Sequence, residues 1–348
     1  MPKLWIDNKP IEVPPGTTVL EAATRVGIAI PTLCHLNGCE SGTSCMVCVV
    51  AMEDSGRLVP SCAMAAQDGM RIQSQTSAVL AARRSAVQLL LGDHAGDCVG
   101  PCQLVCPAHL DVPAMLRAIV AGDWPKAART AQARAAGACP GACEKACRRG
   151  QLDAPVAICQ LCQFVAGMEI ASPAAPIAGG PASTASPTGQ PFSHRLGKAR
   201  PEELSQLLRQ PGVSAAGRTT AGILDIASAR AEAARCLHCD CRKADHCRLR
   251  DCATELGLAT SSRTSGQPPL TVDTSHPHLI FESGKCIRCG LCVQIARREG
   301  EPLGLTLQGR GFDVRVAPPM GATLTSALQK AWQACAQACP TGALTIRG

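Results

Sequence analysis

The sequence predicts an α+β protein of several domains, and three observations carry that prediction. At 348 residues the chain is long for a single hydrophobic core. Short alternating segments and segments of helical apolar spacing succeed one another along it. Its 23 cysteines stand against four phenylalanines, three tryptophans and no tyrosine. Aromatic side chains supply much of an ordinary core's buried area, so something else ties these domains together.

Residues 1–78 read as a small α+β domain, with KLWID and KPIEVPPG as a hairpin, TVLEAATRVG as a helix, and MVCVVAM and MRIQ as later strands. Residues 79–168 follow, opening on the helical spacing of LAARRSAVQLLLGDH. They become Cys-rich from 96 onward, with AMLRAIVAGDWPKAARTAQA as a helix–turn–helix. Residues 169–199 are a flexible linker, rich in Ala, Pro, Ser and Gly and without charge over 171–193. In residues 200–260 the helices RPEELSQLLRQ and ILDIASARAEAAR lead into a Cys-rich knot at 236–252. A polar link, TSSRTSGQPPL, precedes the last domain at 276–348.

The opening MPKLWIDNKPIEV is a polar alternating strand, not a secretory signal, and no uncharged apolar run is long enough to span a bilayer. A cytoplasmic chain is expected, and there thiols stay reduced, which favours metal or redox centres over disulfides. The formal charge of +7 does not indicate a nucleic-acid partner. Basic pairs such as Arg83-Arg84, Arg148-Arg149 and Arg297-Arg298 are scattered, and stacking aromatics are almost absent. Metal-bound cysteines are thiolates, so the loaded protein is nearer neutrality than the count suggests.

Cys34, Cys45, Cys48 and Cys62 form the first constellation, spaced x10, x2 and x13. A loop delivering three thiolates with a fourth from the next turn suits a [2Fe–2S] centre. IPTLCHLNGCESGTSCMVCVV…VPSCAMAAQDGM resembles the β-grasp ferredoxin domain of the large subunit of NADH dehydrogenase and of NAD-linked hydrogenases. Cys39 is an extra cysteine that competes as a ligand, since C-x4-C also opens plant-type motifs.

The second constellation has His94, Cys98, Cys102 and Cys106 in HAGDCVGPCQLVCP, Cys139, Cys143 and Cys147 in CPGACEKACRRG, and Cys159 and Cys162 in CQLCQ. These runs resemble the N-terminal α-helical iron–sulfur domain of glutamate synthase small subunits and dihydropyrimidine dehydrogenases. That resemblance implies two [4Fe–4S] clusters with crossed ligation, one on Cys98, Cys102 and Cys147, the other on Cys106, Cys139 and Cys143. Each lacks a fourth thiolate. His94, in an HxxxC arrangement that also resembles the histidine-bearing motif of the NADH dehydrogenase large subunit, is the candidate for the first. The alternative is a helix-capping His94 with water, Asp93 or Asp97 completing the site. For the second the resemblance points to the following helix, where Cys162 is preferred over Cys159 and Gln163.

In ARCLHCDCRKADHCRLRDC, Cys236, Cys239, Cys241 and Cys247 fall within twelve residues, with Cys252 as a spare. As thiolates they repel unless a cation holds them. A further [4Fe–4S] cluster is expected, with zinc or a packing role as alternatives. His238 and His246 are read as hydrogen-bond donors or surface residues.

The last domain carries Cys286, Cys289 and Cys292 at the spacing that opens a bacterial ferredoxin motif. The cysteine before a proline in such motifs serves the other run's cluster, and Cys339-Pro340 supplies it, so Cys286, Cys289, Cys292 and Cys339 close one [4Fe–4S] site. A companion would need cysteines at 296, 329, 332 and 335, where the chain has Ala296, Gln329, Trp332 and only Cys335. One cluster is kept and its twin is missing. GLTLQGRGFDVRV and PTGALTI resemble the same NADH dehydrogenase subunit family, which implies a bacterial-ferredoxin-like fold here.

Nineteen cysteines with His94 make five four-ligand sites, leaving Cys39, Cys159, Cys252 and Cys335. The expected complement is one [2Fe–2S] and three to four [4Fe–4S] clusters, with zinc the alternative at 236–247. No P-loop or dinucleotide fingerprint occurs, and no catalytic triad or carboxylate pair stands out. The resemblances imply a non-catalytic electron-transfer subunit of a hetero-oligomer. It would work between a flavin/NAD-binding subunit and a second redox subunit (hydrogenase, dehydrogenase) or ferredoxin. The alternatives are the iron–sulfur subunit of a glutamate-synthase-like flavoenzyme, or a zinc-stabilised scaffold.

Overall fold

The computed structural model describes residues 1–108, 110–132, 141–168, 199–218, 222, 224–243, 246–258 and 271–347. Residues 169–198 of the expected linker, the link at 260–270 and Cys139 lie outside the described residues. The chain divides into two compact units that do not follow chain order. The first comprises Met1–Ala95, Asp245–Pro269 and Asp273–Gly348, the second Gly96–Ala244 with Leu270–Val272.

The first unit opens on a five-stranded sheet of order β2-β1-β5-β3-β4. Its strands are β1 (Lys3–Ile6), β2 (Lys9–Glu12), β3 (Val49–Met52), β4 (Leu58–Pro60) and β5 (Arg71–Gln73). Asp7 and Asn8, both at positive φ, make the two-residue turn between β1 and β2, the geometry whose twist suits a hairpin. β1 pairs parallel with β5, which the β1–β2 hairpin alone does not reveal. Helix α1 (Val19–Arg25) is started by a reciprocal capping box. Thr18 Oγ1 accepts from the Glu21 N–H at 3.2 Å, and Glu21 Oε2 accepts from the Thr18 N–H at 2.8 Å. Leu4, Ile6, Val19, Leu20, Val50 and Ile72 meet in one core between α1 and the sheet. Each such side chain contributes about 1.5–3 kcal/mol when fully buried. Helix α2 (Ser77–Asp93) lies along β3, and the buried Arg83 donates to the Val49 carbonyl at 2.8 and 3.2 Å.

The second unit is helical: α3 (Pro101–Leu104), α4 (Val112–Ala121), α5 (Trp124–Gln132), α6 (Ala142–Lys145), α7 (Ile158–Ala166), α8 (Pro201–Leu208) and α9 (Ile226–Ala233). The helix–turn–helix expected at 114–133 is α4 and α5. Asp111 caps α4 through its side chain, and Gly122 ends it at φ 77°, a left-handed conformation that favours glycine. Its core is aliphatic, with Val112, Met115, Leu116, Ile119, Ile158 and Leu161 packed together. This replaces the missing aromatic area.

The first unit resumes with α10 (Arg248–Glu255), α11 (Leu291–Arg298), α12 (Leu324–Ala327) and α13 (Trp332–Ala338). The strands Leu279–Glu282 and Leu344–Ile346 pair antiparallel, with Leu344 opposite Phe281. A second hairpin joins Thr306–Gln308 to Arg315–Ala317. Ala296 and Cys335, two positions of the missing twin site, are both fully buried in the apolar cluster with Leu324 and Leu328. Hydrocarbon fills that part of the motif.

Candidate metal centres

Cys34, Cys45, Cys48 and Cys62 are all buried at the loops around β3 and β4. Thr43 and Met46 at positive φ fold the loop that carries Cys45. The Cys48 and Cys62 sulfurs are 3.4 Å apart. A hydrogen bond from Cys45 holds the Cys34 thiol down to about 5, and one from Cys62 holds Cys48 down to about 6. The same contacts push Cys45 and Cys62 up. Full ionisation of such a set needs a cation to hold it. Cys39 faces elsewhere, its sulfur accepting from Arg298 Nη1 at 3.7 Å.

Cys286, Cys289, Cys292 and Cys339 line one cavity whose other walls include Phe281, Leu291, Val316, Leu344 and Thr341. Burial pushes the Cys286 thiol up to about 11 and Cys289 to about 12, so thiolates persist here only against compensating positive charge. Arg288 has φ 55°, and its N–H donates to the Cys286 sulfur at 3.4 Å. Cys335 is not in the cavity lining. It is buried, with its Sγ 3.5 Å from the Cys292 carbonyl.

A second cavity, wholly within the helical unit, is lined by Cys102, Cys147, Cys236 and Cys239, with Arg148 and Leu116 among its other walls. Of the 236–247 run, Cys236 and Cys239 are in this lining. Cys236 and Cys239 face Cys102 and Cys147, and the Cys241 N–H donates to the Cys98 carbonyl at 3.2 Å. Cys247 belongs to the other unit, where its sulfur lies 3.8 Å from the Pro340 carbonyl. His94 is buried, its N–H bonded to the Leu91 carbonyl at the end of α2, and it is not among the residues that line this cavity. Burial pushes the Cys102 and Cys236 thiols well up and Cys239 to about 12.

Cys106, Cys143 and Cys162 border the apolar cluster of the helical unit. Cys162 turns inward, its sulfur 3.6 Å from that of Met115, and Gln163 on the same helix is exposed. The Cys159 N–H donates to Glu144 Oε1 at 2.7 Å. Cys252 is buried on α10, its thiol pushed up to about 11 by burial. His238 is held down to about 4 by burial, so its ring is neutral at pH 7.

Sequence reasoning missed the charges around the second cavity. Arg148 and Arg149 are buried rather than solvated, Arg148 pairing with Asp97 at 2.5 Å. Their adjacency to Cys147, and that of Arg235 to Cys236, was the available signal.

Two family matches fall on the runs at 34–62 and 94–162 and place these segments among iron–sulfur domains. Residues 3–77 match the 2Fe-2S iron–sulfur cluster binding domain, and residues 90–173 match dihydropyrimidine dehydrogenase domain II, a 4Fe-4S cluster domain. Both resemblances expected for these segments are thereby borne out.

Two curated relatives are similar to the chain. The NADP-reducing hydrogenase subunit HndD of Solidesulfovibrio fructosivorans is 42% identical over 111 residues, 29% of this chain and 19% of that protein. The NADH-ubiquinone oxidoreductase 75 kDa subunit of Reclinomonas americana is 37% identical over 98 residues, 28% of this chain and 14% of that protein. The chain thus spans less than a fifth of their lengths. A crystal structure of NAD+-reducing [NiFe]-hydrogenase in the H2-reduced state shares the fold. Its TM-score is 0.54 at 20% identity, covering 100% of this chain and 88% of that one. Among the described residues, no helix is long and apolar enough to cross a membrane.

Proposed function

We propose that the chain is a multi-cluster electron-transfer subunit. It relays electrons between an NAD(H)- or flavin-binding partner subunit and a second redox module, a hydrogenase, dehydrogenase or ferredoxin. One observation carries the reading. Leu36 and Cys39, from the loop that carries Cys34, Cys45 and Cys48, pack on the apolar cluster that carries Cys286, Cys289, Cys292 and Cys339. Two candidate redox centres thus adjoin within one compact unit, as a relay requires.

Iron–sulfur clusters, when bound, supply reversible one-electron transfer. The protein's part is to hold them, exclude water and set their surroundings. Cys34, Cys45, Cys48 and Cys62 hold the [2Fe–2S] centre. Cys286, Cys289, Cys292 and Cys339 hold a [4Fe–4S] centre in a bacterial-ferredoxin-like domain. Cys106, Cys139 and Cys143, with Cys162 from α7, hold a further one. The two relatives named above are subunits of a hydrogenase and of an oxidoreductase, which supports a hetero-oligomeric setting.

The match of residues 90–173 supports a second reading, the iron–sulfur subunit of a glutamate-synthase-like flavoenzyme. The match of residues 3–77 favours the relay. Anaerobic purification of the native complex decides. The relay predicts iron and acid-labile sulfide on this chain, and a co-purifying flavin subunit whose NAD(P)H reduces its clusters. Zinc-rich, sulfide-free protein overturns it in favour of a scaffold.

A further inference from the structure

We propose that Cys102, Cys147, Cys236 and Cys239 together ligate one [4Fe–4S] cluster. The C-x2-C half of this site comes from beyond the 169–199 segment, and His94, Cys98, Cys241 and Cys247 are left out of it. The proposal rests on the reading of the chain as an iron–sulfur protein and deepens it.

Two independent observations carry it. The first is the cavity itself, which all four cysteines line within a single compact unit. The second is a backbone signature that the two C-x2-C loops share. In Cys286–Cys289, Arg288 sits at φ 55° and its N–H donates to the Cys286 sulfur at 3.4 Å. In Cys236–Cys239, His238 sits at φ 46° and its N–H donates to the Cys236 sulfur, also at 3.4 Å. A non-glycine residue in the left-handed region is uncommon and adopted only where the surroundings demand it. Here it aims an amide at a sulfur that a bound cluster would make anionic, which favours the charged form. Two loops of equal spacing and equal turn are built for the same ligand.

The chemistry of the walls agrees. Arg148 lies in the lining and places positive charge where four thiolates and a cluster bring net negative charge. Its partner Asp97 holds it there at 2.5 Å, both side chains being almost fully buried. Among the described residues, no carboxylate lines the cavity. A single zinc at 236–247 would need Cys241 and Cys247 beside Cys236 and Cys239, and neither is among the residues that line this cavity.

The test uses the full chain purified without oxygen, as wild type, Cys102→Ser, Cys239→Ser, the double variant of these two, and Cys241→Ser. The readouts are EPR of the dithionite-reduced protein and iron and sulfide content. Cys102→Ser and Cys239→Ser are expected to lose one and the same signal and about four irons each, the double variant no more than either. Cys241→Ser is expected to leave that signal in place. Loss of two different signals, with about eight irons gone in the double variant, overturns the assignment in favour of separate sites. Should the serine variants shed iron from the whole chain by misfolding, Cys102→Asp and Cys239→Asp decide, because they keep an anionic ligand. Alteration of one shared signal with iron retained supports the site, and alteration of two distinct signals overturns it. Wild-type protein without iron or sulfide would instead overturn the electron-transfer reading, so the two failures are distinguishable.

Discussion

Arg149 donates from Nη1 to the carbonyl oxygen of Arg235 at 3.3 Å, across 86 residues of sequence. The first residue lies two beyond Cys147, the second immediately before Cys236, so this contact ties together the two chain segments that bring those cysteines to one cavity. It does not act alone. Arg149 forks onto Asp153 at 2.7 and 3.0 Å and reaches the carbonyls of Ser214 and Ala216 at 2.7 and 2.9 Å. Arg235 bonds Asp153 at 3.1 Å and Glu232 at 2.7 Å, and Glu232 also accepts from the Ala157 N–H at 2.8 Å. The two thiol-bearing segments are thus held together by a largely buried ionic lattice within two residues of Cys147 and Cys236.

Removing Arg149 should therefore cost more than its charge. Arg149→Ala leaves Asp153 to Arg235 alone and strands the carbonyls of Ser214 and Ala216, a loss of about 1–3 kcal/mol or more. Arg149→Lys should rescue little, because an ammonium cannot reproduce a planar fork onto Asp153 while reaching the Ser214 and Ala216 carbonyls. Denaturant unfolding of the loaded protein measures both. An Arg149→Lys variant as stable as wild type would show that the lattice is incidental.

The same lattice has a pH signature. Hydrogen bonds from the Arg149 guanidinium hold the Asp153 carboxyl well below the usual carboxylate range. A carboxylate depressed by folding contributes stability that is present above its unfolded value, near pH 4, and lost as pH falls toward the folded value. Asp153→Asn should cost about 1.5–3 kcal/mol near pH 6. The gap to wild type should narrow steadily below pH ~4. Urea unfolding of the pair over that range reads the gap. A gap independent of pH would assign the effect to packing instead of ionisation.

What the sequence made legible was local. Cysteines carried on short loops marked the runs at 34–62 and 286–292 as candidate sites, because loop spacing alone can bring such sulfurs together. The alternation of Leu4 and Ile6 and the apolar spacing of α4 declared the elements that hold them. The partnership of Cys236 with Cys102 was not legible, since residues joined across more than a hundred positions share no period or spacing. For the same reason the five cysteines of 236–252 read as one knot. Arg148-Arg149 read only as one of several scattered basic pairs, because composition cannot tell a guanidinium in water from one spent on buried carbonyls.

Arg148 should tune the redox centre that Cys239 is proposed to hold. At an effective dielectric of about 20, a unit charge some ~6 Å away is worth ~3 kcal/mol. Arg148→Gln should accordingly lower the midpoint potential of that cluster by on the order of 100 mV. The double variant Arg148→Gln/Asp97→Asn removes a positive and a negative charge together and should return the midpoint toward wild type. Potentiometric titration followed by EPR gives both values. Equal midpoints in wild type and Arg148→Gln would mean that the charge is screened from the cluster.

Ala296 offers a negative prediction about the missing twin. The side chain is fully buried, and a Cβ placed on Gly304 would lie 3.3 Å from that of Ala296, so little room remains. Ala296→Cys should overpack the core at a cost of about 1–3 kcal/mol. Iron content should not rise, because Gln329 and Trp332 still offer no thiolates beside Cys335. Trp332 is itself stacked on His278, with ring centroids 4.9 Å apart. A gain of iron in this single variant would show that the second site is merely dormant.

The contact between the first loop and the last domain makes the relay itself testable. A Cβ on Gly42 would meet Gln294 Nε2 at 3.8 Å and the Cys289 carbonyl at 3.9 Å, so the loop lies in van der Waals reach of a proposed cluster ligand. Ordinary contact distances mean that Gly42→Ala should be tolerated, with both centres intact and exchange between them unchanged. Gly42→Trp cannot fit in that gap and should push the loop outward while leaving Cys34, Cys45, Cys48 and Cys62 able to hold their centre. Rapid-freeze EPR after injecting one electron should then show both signals present and their equilibration slowed at least about tenfold, the effect of ~1.4 kcal/mol on a barrier. Equilibration at the wild-type rate in Gly42→Trp would place the working electron path elsewhere, because the wedge would have widened this contact without consequence.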